Sequence, residues 1–317
     1  MKCKICDKKT KIWYRKLFDD RHGYTGYFDI YKCPNCGFAI TNPQITKNKI
    51  INLYTKYYPR QNLNLENIKR SNYKKIDRFE IWKKGLLNTC EYWIKEKSKV
   101  LDVGSGLGYG LLRLEEAMKC KAYGIDPDAN AKRFANKFKL NFHHGFIEDN
   151  PFKNIRFDYV IANQVLEHTD NPIRFLNICK SRLNKNGKII LSFPNTNGLH
   201  RIIFGRNWLH WHVPYHLNHF NLSSIKELTN KSGLKIEKIQ TITPNMWTNL
   251  QIRRILSKPE NGIRDTFWDG NNKNNNTIIK SKTYSKLTRF LENNNYLNRL
   301  VDLLGFGESF LVILGIS

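Results

Sequence analysis

One stretch constrains this chain more than any other. Val100-Leu101-Asp102-Val103 is an apolar run short enough for a fully buried strand, and it passes directly into Gly104-Ser105-Gly106-Leu107-Gly108-Tyr109-Gly110. A buried strand entering a glycine-rich turn and then a helix opens a doubly wound α/β sheet, with the turn at the ligand-binding edge. The spacing argues against a dinucleotide fingerprint. Counting from Gly104 and Gly106 places Tyr109 at the third glycine position, and counting from Gly106 and Gly108 places Leu111 there. The pattern that fits is D-x-G-x-G-x-G. A second strand, Lys121 to Ile125, ends in Asp126-Pro127, where a carboxylate can accept from ribose hydroxyls.

Four of the seven cysteines form two CxxC pairs, Cys3-Lys-Ile-Cys6 and Cys33-Pro-Asn-Cys36. Two such knuckles bring four thiolates around one tetrahedral ion. A redox motif would use a single pair, so Cys3, Cys6, Cys33 and Cys36 are expected to hold structural Zn2+, with no open position for catalysis. Cys90, Cys120 and Cys179 fall in regular patterns and are expected in the core.

Further along the chain, Asn141 to Glu148 reads as a third strand and its loop, and Phe157 to His168 as a fourth strand. Leu183 to Leu191 leads into a fifth, and Leu234 to Ile242 and Phe310 to Leu314 supply a sixth and a seventh. In this order the elements resemble the class I S-adenosylmethionine-dependent methyltransferases. With Phe18 to Tyr24 and Tyr31 to Gly37 in front, the chain looks like a bacterial subgroup bearing an N-terminal zinc-ribbon-like segment. The resemblance implies an α/β fold with a doubly wound, seven-stranded Rossmann-like sheet whose last strand is antiparallel. It implies S-adenosylmethionine as cofactor. Asp102, Gly104, Ser105, Gly106 and Gly108 would lie at its methionine part and Asp126 at the ribose. Phe146 and Ile147 would lie beside the adenine, and Asn163 would close the fourth strand against the cofactor. The expected organisation is a zinc-ribbon-like module at 1–45, a helical linker at 46–98, and a methyltransferase domain at 99–317 with a helical insertion at about 244–306.

Methyl transfer to a hydroxyl needs a proton acceptor, and Trp208 to Phe220 holds His210, His212, His216 and His219 after the fifth strand. The His216-x-x-His219-Phe220 pattern recurs in the resembling subgroup, which favours His216 and His219 as catalytic bases. Structural hydrogen bonding and metal ligation remain the other readings of these imidazoles. His168, after Glu167, reads as a helix-start residue beside the cofactor.

Composition enters where acceptors must be separated. The formal net charge is +26, of which +14 lies in residues 1–99, and lysine and asparagine are both heavily used. Such usage arises equally from an AT-rich coding sequence or from a polyanionic partner. The expected acceptor is a small molecule, a glycan, nucleotide sugar or lipid-linked saccharide, taken at a hydroxyl. An RNA methyltransferase is the alternative, although strand four ends Asn163-Gln164-Val165-Leu166 and not in the Asn/Asp-Pro-Pro-Tyr/Phe type used for exocyclic amines. A non-catalytic cofactor-binding scaffold is the second alternative. No apolar run approaches a membrane span and no signal sequence is visible, so a cytoplasmic enzyme that could still rest on a membrane surface is expected. The periodicity reads Asn48 to Tyr58 and Tyr73 to Lys97 as amphipathic helices, and Met246 to Leu256 and Tyr284 to Leu304 as helices around a polar Asn271 to Asn276 segment.

Overall fold

The computed structural model describes residues 1–46, 49, 53, 57, 69–70, 77–149, 151–265 and 282–316. Among the described residues eleven strands form two sheets: β1 (Lys11–Leu17), β2 (Phe28–Lys32), β3 (Ala39–Asn42), β4 (Lys99–Val103), β5 (Lys121–Asp126), β6 (Asn141–His144), β7 (Phe157–Asn163), β8 (Leu183–Pro194), β9 (Asn218–His219), β10 (Leu234–Ile242) and β11 (Ser309–Ile316). The larger sheet has the order β10-β11-β8-β7-β4-β5-β6. β4 pairs in parallel with β5 on one side and β7 on the other, while β11 is antiparallel to both β8 and β10. The chain therefore reverses its winding direction between β4 and β7, and at such a switch point the strand ends open a crevice. This is the expected seven-stranded arrangement with its antiparallel last strand.

The buried faces follow from the sequence. Val100 and Leu101 in β4, Val160 and Ile161 in β7, and Ile189 and Ile190 in β8 are all buried, as strands covered on both faces require. Helices Tyr109–Glu116, Ala129–Phe138, Pro172–Ser181 and Leu222–Lys231 connect the strands. Asn171 caps the third of these by accepting from Arg174 N at 3.0 Å, with Pro172 at its first position.

The smaller sheet, β1-β2-β3-β9, is antiparallel and takes its last strand from far downstream: Ala39 pairs with His219 and Ile40 with Asn218. Cys3, Cys33, Cys36 and Phe38 share one core with Phe193 and Phe220. The first 45 residues thus pack as part of the wall around the switch point, clamped to the histidine-rich segment.

Two helix expectations are corrected. The run Tyr73 to Lys97, of which 73–76 lie outside the described residues, is not one helix. It is helical over Arg78–Lys83 and then breaks into the 3-10 turns Leu86–Asn88 and Cys90–Trp93. The cause is tertiary: Gly85 takes φ +70° and approaches Thr243 so closely that a Cβ would stand 2.2 Å from its carbonyl oxygen. The Trp82 carbonyl accepts from Gly85 N at 3.0 Å and also from Arg299 Nη1 at 2.7 Å. The periodicity expects Phe79, Ile81 and Trp82 together on the apolar face; Ile81 is buried, whereas Phe79 and Trp82 are exposed. Likewise Tyr284 to Leu304 divides into Lys282–Asn294 and Tyr296–Leu303, because Asn295 caps the second helix by accepting from Asn298 N. Helix Asn245–Ser257 agrees with expectation. The expected helix at Asn48 to Tyr58 falls largely, and the Asn271 to Asn276 segment wholly, outside the described residues. Among the described residues no helix is long and apolar enough to cross a membrane.

Candidate active site

At the carboxyl ends of β4, β5 and β7 the glycine turn is shaped by backbone geometry no side chain would tolerate. Gly104 has φ +73°, and a Cβ there would meet Val165 Cγ2 at 2.4 Å. Gly104 N and Ser105 N both donate to the Ile125 carbonyl, at 2.8 and 3.1 Å, which joins the turn to the end of β5. The Asp126 carboxylate completes the junction: Oδ2 accepts from Gly106 N at 2.8 Å and Oδ1 from Asp128 N at 2.9 Å. Asp126 therefore faces the cleft while also holding the turn. Gly108, at φ +91°, starts the helix against Phe134 and Leu140.

Beneath the turn lies a second carboxylate, the one that the resemblance placed at the methionine part of the cofactor. Asp102 is buried, and its neighbours are Glu91 and Asp126; burial first, then these two negative groups, push its carboxyl well above the usual range. Its Oδ1 has no hydrogen-bond partner among the described residues. Glu91, from the 3-10 turn Cys90–Trp93, accepts from Asn163 Nδ2 at 2.8 Å, and Asn163 Oδ1 accepts from Cys90 N at 2.7 Å. Glu91 already has Arg113 Nη1 at 3.9 Å, whereas the unpartnered Asp102 oxygen is left to a donor from the ligand side. The α-ammonium of a methionine moiety has the charge and donors that fit, and the acidic face would suit a sulfonium too. Glu91 had no signal in the sequence, since it lies outside the glycine motif and reaches the site only through the break at Gly85.

A cavity of about 710 Å³ runs from this turn across the switch point. Gly104, Asp126, Phe146, Ile147 and Asn163 line it, as do His210, His212 and His216 on the far wall. Asp102, Ser105, Gly106, Gly108 and His219 do not line it and stand behind its surface. The far wall also includes Arg21, between β1 and β2, and Gln44, just after β3, both within the expected zinc module. It is carried by contacts to the inserted helices: Leu209 N donates to Gln251 Oε1 at 2.7 Å, and the His210 ring packs 4.2 Å from Trp247. Trp208 Nε1 donates to the buried Glu308 carboxylate at 2.7 Å.

His216 Nδ1 lies 2.8 Å from the His210 carbonyl oxygen, and His168 Nδ1 lies 2.8 Å from that of Tyr215. A carbonyl only accepts, so both rings carry hydrogen on Nδ1, and the His216 ring when neutral keeps a lone pair at Nε2. Burial, then neighbouring imidazoles, holds His216 well below the usual histidine range and hence neutral. Glu167, 1% exposed, is pushed up to about 8 by burial, and neither of its carboxylate oxygens has a hydrogen-bond partner among the described residues. His219 plays a different part. Thr41 Oγ1 donates to the His216 carbonyl at 2.6 Å, so its other contact, at 2.9 Å, is His219 Nε2–H donating to it. His219 thus reaches the site through Thr41, with its ring 6.4 Å from that of His216.

The four expected metal ligands converge. Cys3 and Cys36 Sγ are 3.6 Å apart, Cys6 and Cys33 3.5 Å, and Cys6 and Cys36 3.6 Å. A tetrahedral ion with metal–sulfur bonds of about 2.3 Å needs sulfurs about 3.8 Å apart, so the cluster fits Zn2+ with little adjustment.

Comparison with known proteins agrees with this geometry. A family model described as a methyltransferase domain matches residues 74–239, just over half of the chain. A Mycolicibacterium smegmatis protein named a probable S-adenosylmethionine-dependent methyltransferase is 26% identical over 140 residues, covering 44% of this chain and 52% of that protein. A Campylobacter jejuni protein named tRNA U34 carboxymethyltransferase is 25% identical over 142 residues, covering 43% and 49%. The chain thus spans about half the length of these curated relatives. Among solved structures, the plantazolicin methyltransferase BpumL in complex with SAH is 18% identical with a TM-score of 0.44, covering 85% of this chain and 98% of that one.

Proposed function

The chain belongs to the class I S-adenosylmethionine-dependent methyltransferases, and on that premise we propose that it methylates a hydroxyl of a small-molecule acceptor, a glycan, nucleotide sugar or lipid-linked saccharide. The observation that carries this reading is the continuity of the cavity. One space of about 710 Å³, within the range of small-molecule sites, joins the glycine turn to a wall of buried, neutral imidazoles. Bound S-adenosylmethionine supplies an electrophilic methyl group on a sulfonium. In our reading the Gly104 turn meets its methionine end, with Asp102 and Glu91 supplying negative charge from behind that turn, Asp126 takes its ribose, and Phe146 and Ile147 flank its adenine, with Asn163 fixing Glu91. The acceptor hydroxyl enters along the histidine wall. As its oxygen takes the methyl group that the bound cofactor would supply, the hydroxyl proton passes to the lone pair of His216 Nε2. Most of the acceleration then comes from alignment and from excluding water. His219 acts as a positioning residue, holding the His216 backbone through Thr41. Zn2+ on Cys3, Cys6, Cys33 and Cys36 fixes the N-terminal wall.

A second reading is favoured by a separate observation. The Campylobacter relatives carry the name of tRNA-modifying enzymes, and the +26 charge would draw this chain to RNA. The test is methyl transfer from labelled S-adenosylmethionine, assayed in parallel on total RNA and on extracted surface glycans, with RNA binding titrated in salt. Binding driven by counterion release alone disappears between roughly 50 and 200 mM salt and carries no site preference. Label in the glycan fraction supports the hydroxyl acceptor, and site-specific label in RNA replaces it with the second reading.

A further inference from the structure

We propose that Glu167, His168 and His216 bind a divalent first-row transition-metal cation at the acceptor end of the cavity, distinct from the four-cysteine cluster.

The donor atoms are already arranged for it. One ligand atom from each of the three residues lies within 4.8 Å of the other two. His216 Nε2 stands 3.9 Å from Glu167 Oε1, too far for the two to bond to each other. That spacing suits two ligands converging on one ion, closing slightly as each takes a bond of about 2.1 Å. The rings of His168 and His216 meet edge to face at 4.7 Å, and each donates Nδ1–H to a main-chain carbonyl, His168 to Tyr215 and His216 to His210. Backbone carbonyls on the remote nitrogen are how metal-binding imidazoles are oriented and their tautomer fixed. The third ligand supplies the charge. Glu167 is 1% exposed, and both its oxygens are without a hydrogen-bond partner among the described residues. A buried carboxyl group left without a hydrogen-bond partner is costly, and a bound cation would engage those oxygens.

The donor set narrows the ion. Two imidazoles and one carboxylate, with remaining positions open, suit first-row transition ions; an oxygen-rich shell would point to magnesium or calcium, and a thiolate shell to the cysteine cluster. His168 and His216 line the cavity, so the open positions face the acceptor. This deepens the reading given above and rests on it for the acceptor: a hydroxyl oxygen bound to the ion is more acidic than a free one. His216 would then be a ligand, and the hydroxyl proton would leave to solvent water.

The experiment adds Co2+ to the full-length protein with zinc retained in its cysteine cluster, read by calorimetry and by the visible spectrum. We expect one Co2+ per chain with weak ligand-field bands and no thiolate charge-transfer band. Glu167→Gln and His216→Gln should each weaken binding at least about tenfold, matching or exceeding what loss of a supporting residue costs. S-adenosylhomocysteine binding, measured on the same samples, reports whether each variant is folded. Absence of Co2+ uptake by the wild-type protein, undiminished uptake in both folded variants, or uptake only with a thiolate band would each overturn the proposal. If S-adenosylhomocysteine still binds and methyl transfer persists after chelation, the metal is lost while the methyltransferase reading stands.

Discussion

Asp126 ties the glycine turn to the cleft, and Asp126→Asn separates its two duties. Its carboxylate accepts from Gly106 N at 2.8 Å through one oxygen and from Asp128 N at 2.9 Å through the other. An amide offers a single acceptor oxygen, so one of the two bonds is lost and an NH2 group is set against a backbone N–H. Hydrogen bonds to a charged group contribute roughly 1.5–3 kcal/mol each. If the turn must be re-formed when the cofactor product binds, that range converts to a loss of about 10- to 150-fold in affinity. The assay is calorimetry with S-adenosylhomocysteine and with an analogue lacking both ribose hydroxyls. Wild-type protein should prefer the natural ligand, and the variant should bind it more weakly while losing most of that preference. Two results refute the reasoning. Binding within about twofold of wild type would show that the turn does not depend on this carboxylate, and a full preference for the hydroxyls in the variant would remove Asp126 from the ribose.

Three further expectations are independent of that one. Gly104→Ala combines a left-handed backbone, costing about 1–2 kcal/mol, with a Cβ 2.4 Å from Val165 Cγ2; adding Val165→Ala should recover the steric part in urea denaturation and leave the backbone part. His219 is held at about 3 by burial against an ordinary value of 6.5, so the unfolded chain binds its proton first as pH falls. Its contribution is fully present above pH 6.5 and is lost as pH drops towards 3. His219→Gln should therefore remove about 2–3 kcal/mol of the stability difference between pH 6.5 and 4.5, measured by denaturant midpoints. Cys36→Ala should abolish stoichiometric zinc in elemental analysis, and it should lower the stability of the whole chain in one transition, because Cys36 shares a core with Phe193 and Phe220.

The sequence alone determined the sheet and the cofactor edge. Strands buried on both faces declare themselves as unbroken apolar runs, and the positive φ angles at Gly104, Gly106 and Gly108 occur where glycine was written. Strand β10 matches its expected bounds, and β11 extends the expected seventh strand by one residue before and two after. The paired CxxC spacing likewise marked four sulfurs that the fold brings together. These signals are local, because each depends on residues within a few positions of one another. What the tertiary structure decided were relations across long separations. The end of the helix at Lys83 is set by Thr243 and Arg299, more than 150 residues away, and Glu91 meets Asp102 and Asn163 only because of that break. His216 and His219 looked equivalent as a motif. β9 pairing with β3 turns His219 to Thr41 behind the wall, while His216 stays at the cavity beside Glu167 and His168. A spacing of three residues names candidates for a site; which of them meets the ligand depends on the strand that pairs with them.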